Sequence, residues 1–132
     1  MKRKKSIIVV VALLIGIIVP AISIDTPQDI AAGFNQGKAE LISKYFKGSV
    51  ELTIDSKENV YSSTQAEIIL KDFFNKNTPQ SFTVLHEGGK DDSKYIIGTL
   101  KTIQGSFRIT ILLKTSETRP YIHQLRIEKN AV

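Results

Sequence analysis

The sequence predicts an α+β domain in which a curved antiparallel β-sheet wraps three helices drawn from the N-terminal half. Three observations carry that prediction. Apolar residues recur at helical spacing in three segments before Pro79, whereas from Ser81 onward the period falls to two. The later segments are joined by a few turn-forming residues each, as in an antiparallel meander. Gly98 interrupts one of these strands, and a mid-strand glycine marks a bulge or bend that lets a sheet curve around helices.

Taken in order, Thr26 as N-cap with Pro27 at the first helical position opens a short helix with Ile30, Ala31 and Phe34 on one face and Gly37 as its stop. A second helix carries Leu41, Ile42, Tyr45 and Phe46 and ends at Gly48 in the left-handed conformation. Val50–Ile54 alternates as a half-buried strand, and polar residues 55–59 link it to a brief strand at Val60–Tyr61. The third helix runs from about Thr64 to Lys76, with Ala66, Ile69, Leu70, Phe73 and Phe74 as its stripe. Thr64 with Glu67 forms a capping box, or Ser62 with Gln65 does so two residues earlier. Four strands follow at Phe82–Glu87, Lys94–Ile103, Ser106–Thr115 and Tyr121–Glu128.

Residues 1–23 read as a secretory signal peptide. Lys2, Arg3, Lys4 and Lys5 form a cationic start, Ile7–Val19 is an uninterrupted apolar run, and Ala21 and Ser23 are small residues suited to cleavage after Ser23. The run of 13 residues is shorter than the roughly 20 a membrane-spanning helix needs. The expected location is therefore the periplasm or the exterior, with residues 24–132 as one domain and no membrane association after cleavage. Four of the 18 basic residues lie in the leader and all 13 acidic ones lie beyond it, so the remainder carries only +1. That balance argues against nucleic acid as a partner. The chain has no cysteine, which excludes a lipid-modified N-terminus, disulfides and thiolate metal ligands.

Four stretches also carry a family resemblance: Tyr61–Phe74, Phe82–Gly88, Tyr95–Leu100 and Gly105–Arg108. Over roughly Ile30–Glu128 the chain resembles a small secreted bacterial family known as domain of unknown function 4783, within the nuclear transport factor 2-like superfamily. The resemblance implies a cone of helices and bent sheet, of the kind also called cystatin-like. It implies no activity, because the family has none assigned.

His86 and His123 are the only histidines. Strand alternation puts His86 with Phe82 and Val84, and His123 with Tyr121, Leu125 and Ile127, which places both on apolar faces. Superfamily enzymes of the isomerase and cyclase kind set a base beside an aromatic hydroxyl inside the cone. Here Tyr45, Tyr61, Tyr95 and Tyr121 supply hydroxyls, and Glu51, Glu87 and Glu128 supply strand carboxylates. No spacing brings a carboxylate to either histidine, so no catalytic residue is assigned. His86, His123, Tyr61 and Tyr95 are the ligand-binding candidates.

Arg108 and Arg126 alternate away from Ile109 and Ile127 and make a basic sheet face as the candidate partner surface. Gly88-Gly89 precede no helix and so form a turn and not a phosphate loop; Asp91-Asp92 lack the wider calcium pattern. No metal and no cofactor is called for. The expectation is an exported module that binds a small molecule or a protein, with a homodimer through the sheet as one form of partnership. An isomerase- or cyclase-like enzyme with a His/Tyr pocket is the alternative.

Overall fold

The first helix exists because Pro27 fixes its entry and Gly37 its exit. In the computed structural model, which describes residues 26–130, α1 spans Gln28–Gln36 and Gly37 closes it with a φ of 68°. The signal-peptide segment lies outside the described residues. Pro27, not Thr26, occupies the cap position, and the Thr26 side chain is engaged elsewhere. Helix α2 is only Ala39–Ser43, because Phe46 is taken into strand β1, Phe46–Ile54. Phe46 pairs with Ile122, and the Ile122 N–H donates to the Tyr45 carbonyl at 2.8 Å, so the expected last turn of helix becomes strand. Gly48 has its positive φ, 69°, inside β1 and caps nothing.

Strand β2, Lys57–Ser62, is longer than the sequence suggested. Asp55 and Ser56 both adopt positive φ, 47° and 73°, and make a two-residue hairpin turn where a five-residue link was expected. Helix α3, Ser63–Lys76, begins with the Ser62 and Gln65 capping box: the Gln65 N–H donates to Ser62 Oγ at 3.2 Å. Strands β3 (Pro79–Lys90), β4 (Ser93–Thr102), β5 (Gly105–Ser116) and β6 (Arg119–Lys129) form the meander. Gly88 and Gly89 are strand residues, and the turn is displaced to Asp91-Asp92.

The six strands form one curved, unclosed sheet in the order β2-β1-β6-β5-β4-β3. Every neighbouring pair is antiparallel except β1 with β6, since α3 carries the chain from the hairpin to the far edge. The inner face buries Leu52, Leu100, Ile109, Ile111, Ile122, Leu125 and Ile127 against Ile30, Phe34, Ile42, Leu70 and Phe74 of the helices. A run of phenylalanine rings crosses this core. Phe34 stacks on Phe82 at 5.0 Å and meets Phe74 edge-on at 6.0 Å; Phe74 meets Phe73 at 5.6 Å, and Phe73 meets Phe107 at 5.0 Å. Together they join edge strand, helices and central strand.

Two polar contacts tie the helices down. Asn35 of α1 accepts the Phe82 N–H at 2.8 Å, satisfying an amide that edge strand β3 would otherwise leave open. Asn35→Ala is expected to cost about 1–2 kcal/mol in urea titration, with faster hydrogen exchange at Phe82. Unchanged protection of that amide would refute the assignment. The second contact is between Ser43 of α2 and Glu67 of α3, whose carboxylate accepts from the serine hydroxyl and lies 3.3 Å from Lys71. The Ser43 hydrogen bond, followed by Lys71, holds the Glu67 carboxyl below its ordinary range. A depressed folded value stabilises the fold above the unfolded carboxylate pKa of about 4.3 and is lost as pH falls through the folded value. The stability gap between wild type and Ser43→Ala should therefore be full at neutral pH and shrink on acidification. A pH-independent gap would refute the linkage.

Candidate functional site

Register, more than residue choice, decides what the sheet offers to a ligand. On β3 the pairing runs Phe82 to Leu100 and Val84 to Gly98, then jumps to His86 opposite Ile97. The extra residue is Leu85, and this bulge flips every side chain after it to the other face. His86 therefore leaves the apolar face expected for it and is exposed on the outside of the sheet. There its Nε2 lies 3.1 Å from the Tyr95 hydroxyl. Glu87 turns to the Ile96 side instead.

A second bulge changes the reading of His123. Leu113 pairs with Ile122 and Leu112 with Gln124, leaving His123 as the extra residue. Its side chain is 42% exposed and its Nε2 is 3.7 Å from Glu51 Oε2, so a carboxylate is placed beside it after all. The partner comes from the parallel strand β1, through the Glu51–Gln124 pair, and no spacing along the chain could have indicated it.

A concavity lies where α1 begins, at the end of the sheet made by the last residues of β3 and β5 and the first of β4 and β6. It holds about 330 Å³. Ile96 and Leu113 give it an apolar floor, Pro27 and Pro120 apolar walls, and Glu87 and Lys94 a polar rim. Glu87 is held in place by Thr26, whose N–H donates to its Oε1 at 2.7 Å and whose hydroxyl donates to the same atom. The other carboxylate oxygen has no hydrogen-bond or ion-pair partner among the described residues. Tyr95 lies over Gly88, where any β-carbon would stand only 2.5 Å from the phenol oxygen, so the glycine is what admits the ring.

The four ligand-binding candidates are thus divided. Tyr95 borders this cleft, but its hydroxyl meets His86 on the outer face of the sheet; His123 sits on the outer face of β6; Tyr61 lines a different cleft of about 410 Å³ between the β1–β2 hairpin and α3. The interior between helices and sheet is filled by the phenylalanine run, and neither histidine enters it. Sequence reasoning missed Ile96, Leu113 and Thr26 as cleft residues. The adjacent Gly88-Gly89 pair is the available sign, and in the sequence it has the look of a turn. Arg108 and Arg126 do share the outer face: Arg108 is exposed, while Arg126 Nε donates to Glu128 at 3.1 Å. Among the described residues no group of three or more acidic or histidine side chains is arranged to hold a metal ion.

Helices packed on the inner face of a bent, unclosed sheet define a domain of the nuclear transport factor 2-like and cystatin-like class. A nuclear transport factor 2-like protein of unknown function from Silicibacter pomeroyi superposes with a TM-score of 0.60 at 11% identity, over 98% of this chain and 100% of that one. A cystatin-like domain of unknown function from Nostoc punctiforme gives 0.65 at 8% identity, over 80% and 73%. More specifically, the chain belongs to the family described as domain of unknown function (DUF4783), whose model matches residues 27–128. The structure of a member of that family from Bacteroides ovatus has a TM-score of 0.78 at 33% identity, over 81% of this chain and 97% of that one. No curated protein matches the chain.

Proposed function

We propose that this is an exported, non-catalytic binding module that takes a small ligand in the cleft at the start of α1. The observation that carries the reading is the division of the molecule's chemistry. Phenylalanine rings occupy the interior where a superfamily enzyme would hold its base, while the concave surface with convergent polar groups is displaced to the end of the sheet. An apolar floor with a few fixed polar groups is the usual makeup of a ligand site. Glu87 anchored by Thr26 supplies a fixed acceptor, which favours a mainly apolar ligand bearing a hydrogen-bond donor or a positive charge.

The test is a ligand-observed NMR screen of small amines and amides against the purified protein and against Thr115→Trp, which fills the cleft from an exposed position on its wall. Saturable binding that vanishes in the variant at an unchanged melting temperature is expected. Binding that survives the block refutes the site. Turnover of an enolisable ketone that is abolished by Glu87→Gln or His86→Gln refutes the non-catalytic reading.

Export is supported by the N-terminal pattern. Intact-mass measurement on protein from the cell envelope should find a chain beginning at Ile24, and a full-length species extracted only with membranes would refute it. The outer face favours a second reading as well. Tyr95, Ile97 and Leu112 form a half-buried apolar patch beside Arg108, with Glu128 and Glu51 on the same face, so two copies related by a two-fold axis can pair opposite charges across it. Sedimentation of wild type as a dimer and of Leu112→Glu as a monomer would support that arrangement.

A further inference from the structure

A third cleft, of about 340 Å³, lies beside the β5–β6 turn and is separate in its chemistry from the one at the start of α1. We infer that it is a binding site for a small organic anion in which a carboxylate or similar group is joined to a ring.

The argument begins with Lys47. Its ammonium donates to Ser116 Oγ at 2.7 Å and sits 5.3 Å from the centroid of the Tyr121 ring. It has no carboxylate partner among the described residues. An ammonium has three donors. One is used by Ser116 and the charge is steadied over the tyrosine face, which leaves donor capacity for the cleft that Lys47 lines. Arg119 lines the same cleft and likewise has no ion-pair partner among the described residues. Lys44 is different, because Asp29 already pairs with it. Glu117 also lines the cleft, and it makes no ion pair with either cation. Two uncommitted cations at one concavity favour an anion, and the planar fork of Arg119 suits a carboxylate.

The ring requirement comes from Tyr45 and Tyr121, which line the same cleft and present flat apolar surface beside the cations. The walls are held by backbone and not by the ligand. The Ile122 N–H donates to the Tyr45 carbonyl at 2.8 Å, Phe46 pairs with Ile122, and Lys47 itself bridges to Ser116 on the opposite wall. Such a site is formed before binding, so little ordering cost is added when a ligand arrives.

The test follows backbone amide shifts of the ¹⁵N-labelled protein, in the N-terminal form that the cell accumulates, during titration with galacturonate, 4-hydroxybenzoate, neutral galactose and inorganic phosphate. Saturable shifts at Lys47, Ser116, Arg119 and Tyr121 are expected for at least one ring acid, and the two acids separate a sugar ring from an aryl one. Lys47→Met and Arg119→Gln should each weaken that binding about tenfold or more at an unchanged melting temperature, while Lys47→Arg retains it. Three results would overturn the proposal: no saturable shift with either ring acid up to roughly millimolar concentrations, equal binding of galactose, or phosphate binding as tightly as the ring acids. The Thr115→Trp block lies in the other cleft, so loss of that site and loss of this one are distinguishable.

Discussion

Phe34→Ala is expected to remove about 3–5 kcal/mol of folding stability, a large share of the roughly 5–15 kcal/mol typical of a domain. Phe34 is completely buried and is the hub of the aromatic run, stacked on Phe82 of β3 at 5.0 Å and edge-on to Phe74 of α3 at 6.0 Å. Its removal strips contacts from both layers at once. The backbone around it cannot collapse easily, because the C-terminal end of α1 is fixed by Gly37 and by the Asn35 bond to Phe82. Phe74→Ala should be severe as well, since that ring is 5% exposed and closes the stripe of α3. Denaturant titration measures both. A loss below about 1 kcal/mol for Phe34→Ala would mean that the helical layer packs differently.

The sequence made the layers legible and left the register hidden. Periodicity placed Phe34, Leu70, Phe73 and Phe74 on buried helix faces, because a helix stripe depends only on residues three or four apart. Strand faces depend on an unbroken alternation, and beyond a shift between Pro79 and Ser81 at the start of β3, single-residue bulges break it at Leu85 and at His123. Neither bulge contains a glycine or proline that would announce it. Both candidate histidines sit at or just after a bulge, so the assignments that mattered most for function were the ones alternation could not support. The short α2 has a similar cause. Leu41, Ile42, Tyr45 and Phe46 have helical spacing, yet pairing with β6 draws Phe46 into β1, and that partner lies more than seventy residues away in the chain.

A base inside the cone requires a polar side chain at an inward strand position with room beside it. Here the buried inward positions of β5 and β6 are aliphatic or phenylalanine, those of β4 add only Gly98 and a Thr102 hydroxyl that donates to the Gly105 carbonyl, and α1 and α3 add three more rings. Burying a charge there would cost several kcal/mol unless it were paired. Polar chemistry is consequently left to the ends of the sheet, where Glu87, Lys47 and Arg119 remain in contact with water.

Gly98→Ala should destabilise the protein by about 1–3 kcal/mol, although the generic effect of replacing a strand glycine runs the other way. Alanine restricts the unfolded chain and ordinarily adds about 0.4–1 kcal/mol where the native backbone tolerates it. At this position the added carbon would stand 2.6 and 2.7 Å from two ring carbons of Phe82 and 2.8 Å from the Thr83 carbonyl oxygen. Phe82 cannot retreat, because its other face is stacked on Phe34. The glycine thus admits the aromatic ring that couples β3 to α1, directly across from the point where β3 bulges. The sign of the measured change decides between the two effects. Shortening the obstructing ring should relieve part of the clash, so Phe82→Leu combined with Gly98→Ala should lose less stability than the two changes separately, by about 1 kcal/mol. The carbonyl contact persists in that pair, and full recovery is not expected. Strict additivity, or a Gly98→Ala protein more stable than wild type in urea titration, would show that the ring does not rest on the glycine.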